Sequence, residues 1–172
     1  MEISAVAIYP RNVTGDAFDP VGNQNFDEEA SGLNYVVASA AKKYKVVIPD
    51  YSSGVGIDGL VEKINRENPN VLLVSAETMM LPISQKIIRK VRQHNDPLTV
   101  IGGGSHFVTG RLEDEFDFVV RGEGEQTIVE LLDAISRNDD DFSNINGITY
   151  KQGNQLQKNP ARIRNKNLDS LP

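Results

Sequence analysis

Apolar residues in this chain fall into five short runs, separated by longer stretches in which they recur every three to four positions. The first run, Ile3 to Tyr9, is closed by Pro10, and a polar, glycine-containing loop extends from Arg11 to about Asp27. That loop is long enough to suggest a functional role rather than a simple connection. Leu33, Val36, Val37, Ala40 and Ala41 then form the stripe of a half-buried helix. Val46-Val47-Ile48 reads as a second strand ending at Pro49-Asp50. A second helix with Ile57, Leu60, Val61 and Ile64 on one face stops at Asn68-Pro69. The uninterrupted apolar run from Val71 to Val74 suits a central strand buried on both faces. A third helix starts near Pro82, a favoured first-turn residue, and buries Ile83, Ile87, Ile88 and Val91. Thr99-Val100-Ile101 is a fourth strand that runs into Gly102-Gly103-Gly104. The segment Gly110 to Glu115 is read as a short fourth helix, Phe118-Val119-Val120 as a fifth strand, and Ile128, Leu131, Leu132 and Ile135 as the buried face of a fifth helix.

Alternation of this kind predicts an α/β fold, a doubly wound parallel sheet with helices on both faces, because right-handed crossovers place them there. The commonest five-stranded order is 2-1-3-4-5. Beyond the α/β domain at 1–137, an acidic stretch, Asn138-Asp139-Asp140-Asp141, leads into a small β-hairpin around Lys151-Gln152-Gly153-Asn154, within 138–158. Residues 159–172 carry no periodic apolar face and read as a linker or extended arm.

In such a sheet a ligand binds outside the carboxyl ends of the strands, where the strand order reverses. The expected crevice lies between strands one and three, lined by the loops Pro10 to Asn25, Ser75 to Leu81 and Gly102 to Thr109. Gly102, Gly103 and Gly104 would let a flat or bulky ligand approach the backbone, although glycines after a strand also serve plain turn geometry. Ser75 fits either a ligand contact or a local backbone cap. Gly122-Glu123-Gly124-Glu125 lacks the full glycine spacing of a dinucleotide fingerprint, and its carboxylates would repel a phosphate. It reads as a turn and cap, with Glu123 or Glu125 bonding a neighbouring loop. Of the two histidines, His94 lies in a polar helix end, whereas His106 sits in the glycine loop at the ligand edge. Asp50 could face that edge or cap the next turn.

Composition narrows the chemistry. A net charge of -6 over 172 residues argues against nucleic acid, which demands a basic footprint, and against anionic lipid. The absence of cysteine excludes disulfides, thiolate metal sites, cysteine nucleophiles and an iron–sulfur cluster on this chain's own thiolates. The N-terminal apolar run is too short for a signal sequence and no stretch approaches a membrane span, so the expected compartment is the cytoplasm.

Taken in order, several motifs resemble the N-terminal cobalamin-binding domain of cobalamin-dependent radical S-adenosylmethionine enzymes, of methyltransferase or oxidative cyclase type. They are Gly32-Leu33-Asn34-Tyr35-Val36-Val37, Val47-Ile48-Pro49-Asp50, Val74-Ser75-Ala76-Glu77-Thr78, Gly103-Gly104-Ser105-His106, Gly122-Glu123-Gly124-Glu125 with Thr127, Ile145-Asn146-Gly147-Ile148-Thr149-Tyr150 and Leu168-Asp169-Ser170-Leu171-Pro172. The resemblance covers almost the whole chain except the first loop. It implies a Rossmann- or flavodoxin-like fold holding a corrinoid at the strand carboxyl ends. Cofactor contacts would come from Ser75, Ala76, Glu77, Thr78, Gly102, Gly103, Gly104, Ser105, His106, Gly122 and Glu123. It also implies a partner, a barrel in cis or in trans that binds S-adenosylmethionine and a four-iron cluster. That cluster's Cys-x-x-x-Cys-x-x-Cys motif is absent here, so the chain is expected to be non-catalytic alone, with 159–172 leading towards the barrel.

Cobalamin domains of methionine-synthase type carry Asp-x-His-x-x-Gly after strand one. Here Arg11-Asn12-Val13-Thr14-Gly15-Asp16 holds no histidine, and His106 is not at the ligating position. A cofactor-free interaction domain is the alternative reading. A phospho-acceptor receiver domain fails on Tyr9-Pro10, Ser75 and Arg121, which stand where it needs acidic residues and a lysine; for a flavin site, Thr14-Gly15 is a poor phosphate loop.

Overall fold

In the computed structural model, residues 1–10, 13, 31–50 and 55–166 are described. They form strands β1 (Ser4–Ile8), β2 (Lys45–Val47), β3 (Val71–Ser75), β4 (Thr99–Gly103), β5 (Phe118–Val120), β6 (Ile148–Gln152) and β7 (Gln155–Lys158). The helices are α1 (Ser31–Ala41), α2 (Ile57–Arg66), α3 (Leu81–Arg92) and α4 (Glu125–Arg137). The sheet order is β2-β1-β3-β4-β5-β6-β7. The first five strands are parallel in the expected 2-1-3-4-5 arrangement, with Val6 beside Leu72, Leu72 beside Val100 and Ile101 beside Phe118.

The core divides between the two sheet faces, as alternate side chains on each strand dictate. Val6, Ile8, Leu72, Val74 and Val100 face α2 and α3, which contribute Leu60, Ile64, Ile87 and Ile88. Ala5, Ala7, Leu73, Ile101 and Val120 face α1 and α4, which contribute Leu33, Ala40, Leu131 and Leu132. The expected stripes are buried apart from the margins: Ile83, Val36 and Val37 are half-buried and Ala41 is exposed. Lys43 Nζ donates to Asp133 at 2.7 Å and Tyr44 Oη donates to the same carboxylate, bracing the end of α1 against α4. Burial pushes the Asp133 carboxyl up, but the hydrogen bonds from Lys43 and Tyr44 and the Lys43 charge outweigh it and hold the group below its ordinary value.

Two elements differ from the sequence reading. The hairpin continues the main sheet: β6 pairs antiparallel with β5, setting Tyr150 opposite Phe118 and Ile148 opposite Val120. Residues 110–115 form no helix. Gly110 has φ +78° and lies so close to β5 that an added Cβ would stand 2.6 Å from Arg121 Cδ. Further along, Glu115 is buried and accepts from Gln85 Nε2 at 2.9 Å and Arg89 Nε at 2.8 Å. Tertiary bonds thus keep this segment out of a helix, leaving one turn closed by Phe116 N donating to Glu113 O at 3.0 Å, while a 3-10 turn forms earlier at Ser105–Phe107. Arg121 is tethered by donation from Nη2 to Ile148 O at 3.2 Å and to Asn159 O, and burial lowers its pKa from the usual guanidinium value. Among the described residues, no helix is long and apolar enough to cross a membrane.

Candidate functional site

Strand β4 ends in two glycines whose missing side chains point in opposite directions. A Cβ on Gly102 would lie 2.9 Å from the rings of Phe107 and Phe116, so on that side the strand end is packed shut. A Cβ on Gly103 would meet nothing within 4 Å. Gly104 follows at φ +96°, where a Cβ would stand 2.8 Å from Ala76 O and 3.1 Å from Ser75 Oγ. Only glycine suits that crossing. The two loops are zipped there by Ala76 N donating to Gly103 O at 2.9 Å and His106 N donating to Ala76 O at 3.1 Å.

On the open side of β4 lies a cleft of about 540 Å³, within the range of small-molecule sites. Leu73, Ile101 and Val120 form its apolar floor. Leu33 and Val36 of α1 and Ile128 of α4 form walls, and the backbone-rich segments Ser75–Glu77, Gly103–Ser105 and Gly122–Glu125 form the rim. Added Cβ atoms on Gly32 and Gly122 would also meet nothing within 4 Å, so three glycines leave backbone bare around one opening. Where α1 and α4 meet, a Cβ on Gly124 would touch Val36 Cγ2 at 3.0 Å, which closes the far end. Tyr9 reaches the rim from the end of β1 and donates from its hydroxyl to Glu77 Oε1 at 2.5 Å.

Nine of the eleven sequence-named residues line this cleft: Ser75, Ala76, Glu77, Gly102, Gly103, Gly104, Ser105, Gly122 and Glu123. Thr78 and His106 are not among its lining residues. His106 Nδ1 lies 3.1 Å from Thr78 Oγ1 and its Nε2 3.4 Å from Glu113 Oε1, with the ring edge-on to Phe107. This pair ties the glycine loop to the neighbouring loop from behind. Glu123 accepts from Asn165 N at 2.9 Å, the kind of bond to another segment expected of the turn, while no side chain caps α4 at Gly124. The cleft is wider than a slot between the first and third strands, since it crosses from Tyr9 to the start of α4. Of the first loop, Pro10 and Val13 are described, and Val13 is buried towards α2 and α3; the rest lies outside the described residues. Sequence reasoning missed the walls, Leu33, Val36 and Ile128, whose apolar spacing signals a helix without saying that its first turn ends in a cavity. It also missed Arg164, which has no local pattern around it.

Residues 20–132 match the family model described as the B12 binding domain. The chain belongs to the B12-binding domain family. It is 27% identical over 147 residues to an uncharacterized methyltransferase of Pyrococcus horikoshii, covering 82% of this chain and 32% of that protein. It is 30% identical over 105 residues to the anaerobic magnesium-protoporphyrin IX monomethyl ester cyclase of a Synechocystis species, covering 56% of this chain and 21% of the cyclase. Among solved structures, the cobalamin-dependent S-adenosylmethionine radical enzyme OxsB with aqua-cobalamin bound superposes with a TM-score of 0.69 at 13% identity. That match covers 95% of this chain and 23% of OxsB. The B12-binding domain here thus spans a third or less of the relatives it matches, and it resembles the corresponding part of cobalamin-dependent radical enzymes.

The residues present fit a corrinoid. A large, amide-fringed ligand needs bare backbone at the rim and an apolar slot behind it, and Gly32, Gly103 and Gly122 border such a slot floored by Leu73, Ile101 and Val120. Backbone groups and the hydroxyls of Ser75 and Ser105 are available for polar contacts in this cleft.

Proposed function

We propose that this chain binds cobalamin at the carboxyl edge of β3, β4 and β5 and serves a radical S-adenosylmethionine enzyme of methyltransferase or oxidative cyclase type. When bound, the corrinoid supplies methyl-carrying or one-electron chemistry at cobalt. The chain's own residues bind and orient it. Ser75–Glu77, Gly102–Ser105 and Gly122–Glu123 present backbone and small polar groups, while Leu33, Val36 and Ile128 exclude water from the slot. Thr78 and His106 act one step back in this reading, holding the Gly103–Ser105 rim in place through their mutual contact. S-adenosylmethionine and a four-iron cluster belong to a catalytic barrel in cis or in trans, because this sequence has no cysteine to hold the cluster. The cytoplasm is the compartment proposed for it.

The observation that carries this reading is the glycine-bordered cleft on the α1/α4 face, whose lining, apart from Tyr9 and Arg164, lies within the residues matched to the B12-binding family. The test is to mix the purified chain with hydroxocobalamin, desalt it and record the visible spectrum. A corrinoid spectrum that co-elutes with the protein is expected. A colourless protein peak would leave a cofactor-free interaction domain as the better description.

A further inference from the structure

The charged side chains among the described residues lining the cleft are Glu77, Glu123, Glu125 and Arg164. Three carboxylates alone would make this a poor place for any anion. Two of them are engaged: Glu77 accepts from Tyr9 Oη, and Glu123 accepts from Asn165 N. Glu125 occupies the first turn of α4, where the helix dipole favours a negative charge.

Arg164 reaches the cleft from the arm that follows β7, beyond the residues matched by the B12-binding model. The arm is fastened on both sides of it. Gly147 N donates to Pro160 O at 2.7 Å, Arg162 Nε donates to Thr127 Oγ1 at 2.6 Å, and Arg162 Nη2 pairs with Glu130. Beyond Arg164, the Asn165 N–H bond to Glu123 returns the chain to the rim. Arg162 and Asn165 are thus spent on anchoring. Arg164 itself is exposed and pairs with no carboxylate among the described residues.

We infer that Arg164 recognises the phosphodiester joining cobalamin's nucleotide to its corrin, making the arm part of the binding site. This rests on the corrinoid reading of the cleft. A guanidinium presents a planar fork of donors that matches two phosphate oxygens, and it offsets the acidic rim that would otherwise repel that group.

The test compares hydroxocobalamin with hydroxocobinamide, which keeps the corrin but lacks phosphodiester and nucleotide. Both are titrated by absorbance into the intact chain and into Arg164→Gln. Far-ultraviolet circular dichroism should be unchanged, since the side chain is exposed. The substitution should weaken cobalamin about tenfold while leaving cobinamide affinity unchanged. Added salt should weaken cobalamin binding more in the unsubstituted chain than in Arg164→Gln. Equal losses for both ligands, or no loss of either, would overturn the role of Arg164 and leave the corrinoid reading standing. If the unsubstituted chain binds neither ligand, both readings fall together.

Discussion

The two faces of the sheet end differently at the same edge. On the α2/α3 face, Phe107, Phe116 and Met80 fill the space above the strand ends and are nearly inaccessible to solvent. On the α1/α4 face, the same strands end beneath bare glycine backbone and an open cleft. Gly102 and Gly103 are adjacent in sequence yet belong to opposite regimes, because neighbouring strand residues face opposite sides. A run of glycines is therefore not one feature. Gly102 makes room for aromatic packing, Gly103 leaves room for a ligand, and Gly104 allows two loops to cross.

The sharpest way to break this contrast is to empty the sealed face. Phe107→Ala removes a fully buried ring that packs edge-on against Phe116, with centroids 4.9 Å apart. It should cost about 3–5 kcal/mol in unfolding free energy by urea denaturation. A loss under about 1 kcal/mol would mean that the aromatic seal is not needed for stability. The glycine pair gives a finer comparison. Gly102→Ala should destabilise by about 1–3 kcal/mol, since its Cβ must displace two rings. Gly103→Ala should change stability by less than about 0.5 kcal/mol. Gly103→Leu should abolish retention of hydroxocobalamin after desalting while the melting temperature holds. Equal stabilities for the two alanine variants would contradict the division of roles.

The smallest expected effect concerns the brace between the cleft walls. Asp133 is held below its ordinary carboxylate pKa in the folded chain. Its charge therefore contributes stability above the unfolded value of about 3.9, and that contribution fades as pH falls through the lower folded value. Asp133→Asn should lower the melting temperature at pH 7, and the gap to the unsubstituted chain should close as pH drops below about 4. A gap of the same size at pH 3 would show that the charge is not what matters.

Much of this was legible in sequence because it is local. Helical stripes such as Leu60, Val61 and Ile64 and strand runs such as Val71–Val74 encode their own burial, and parallel order followed from alternation. The rim loops were legible through their small residues. What escaped depends on distant partners. Residues 110–115 look capable of a turn of helix until Arg121, Gln85 and Arg89 compete for them. The hairpin announces its turn at Gly153, but nothing local says that β6 will join β5. The arm at 159–166 is held by polar bonds such as Arg162 to Thr127, which leave no apolar period to detect.

The added hairpin also decides how the sheet meets its surroundings. Without it β5 would be an open border lined with Phe118 and Val120, an invitation for strands of other molecules to join. With it, the border passes to β7, four residues long, polar apart from an exposed Leu156, with Lys158 at its end and Pro160 soon after. A short, charged margin beside a residue that cannot donate a backbone hydrogen bond is poor template for further ladder growth. The fold thus carries its own guard against edge-to-edge aggregation.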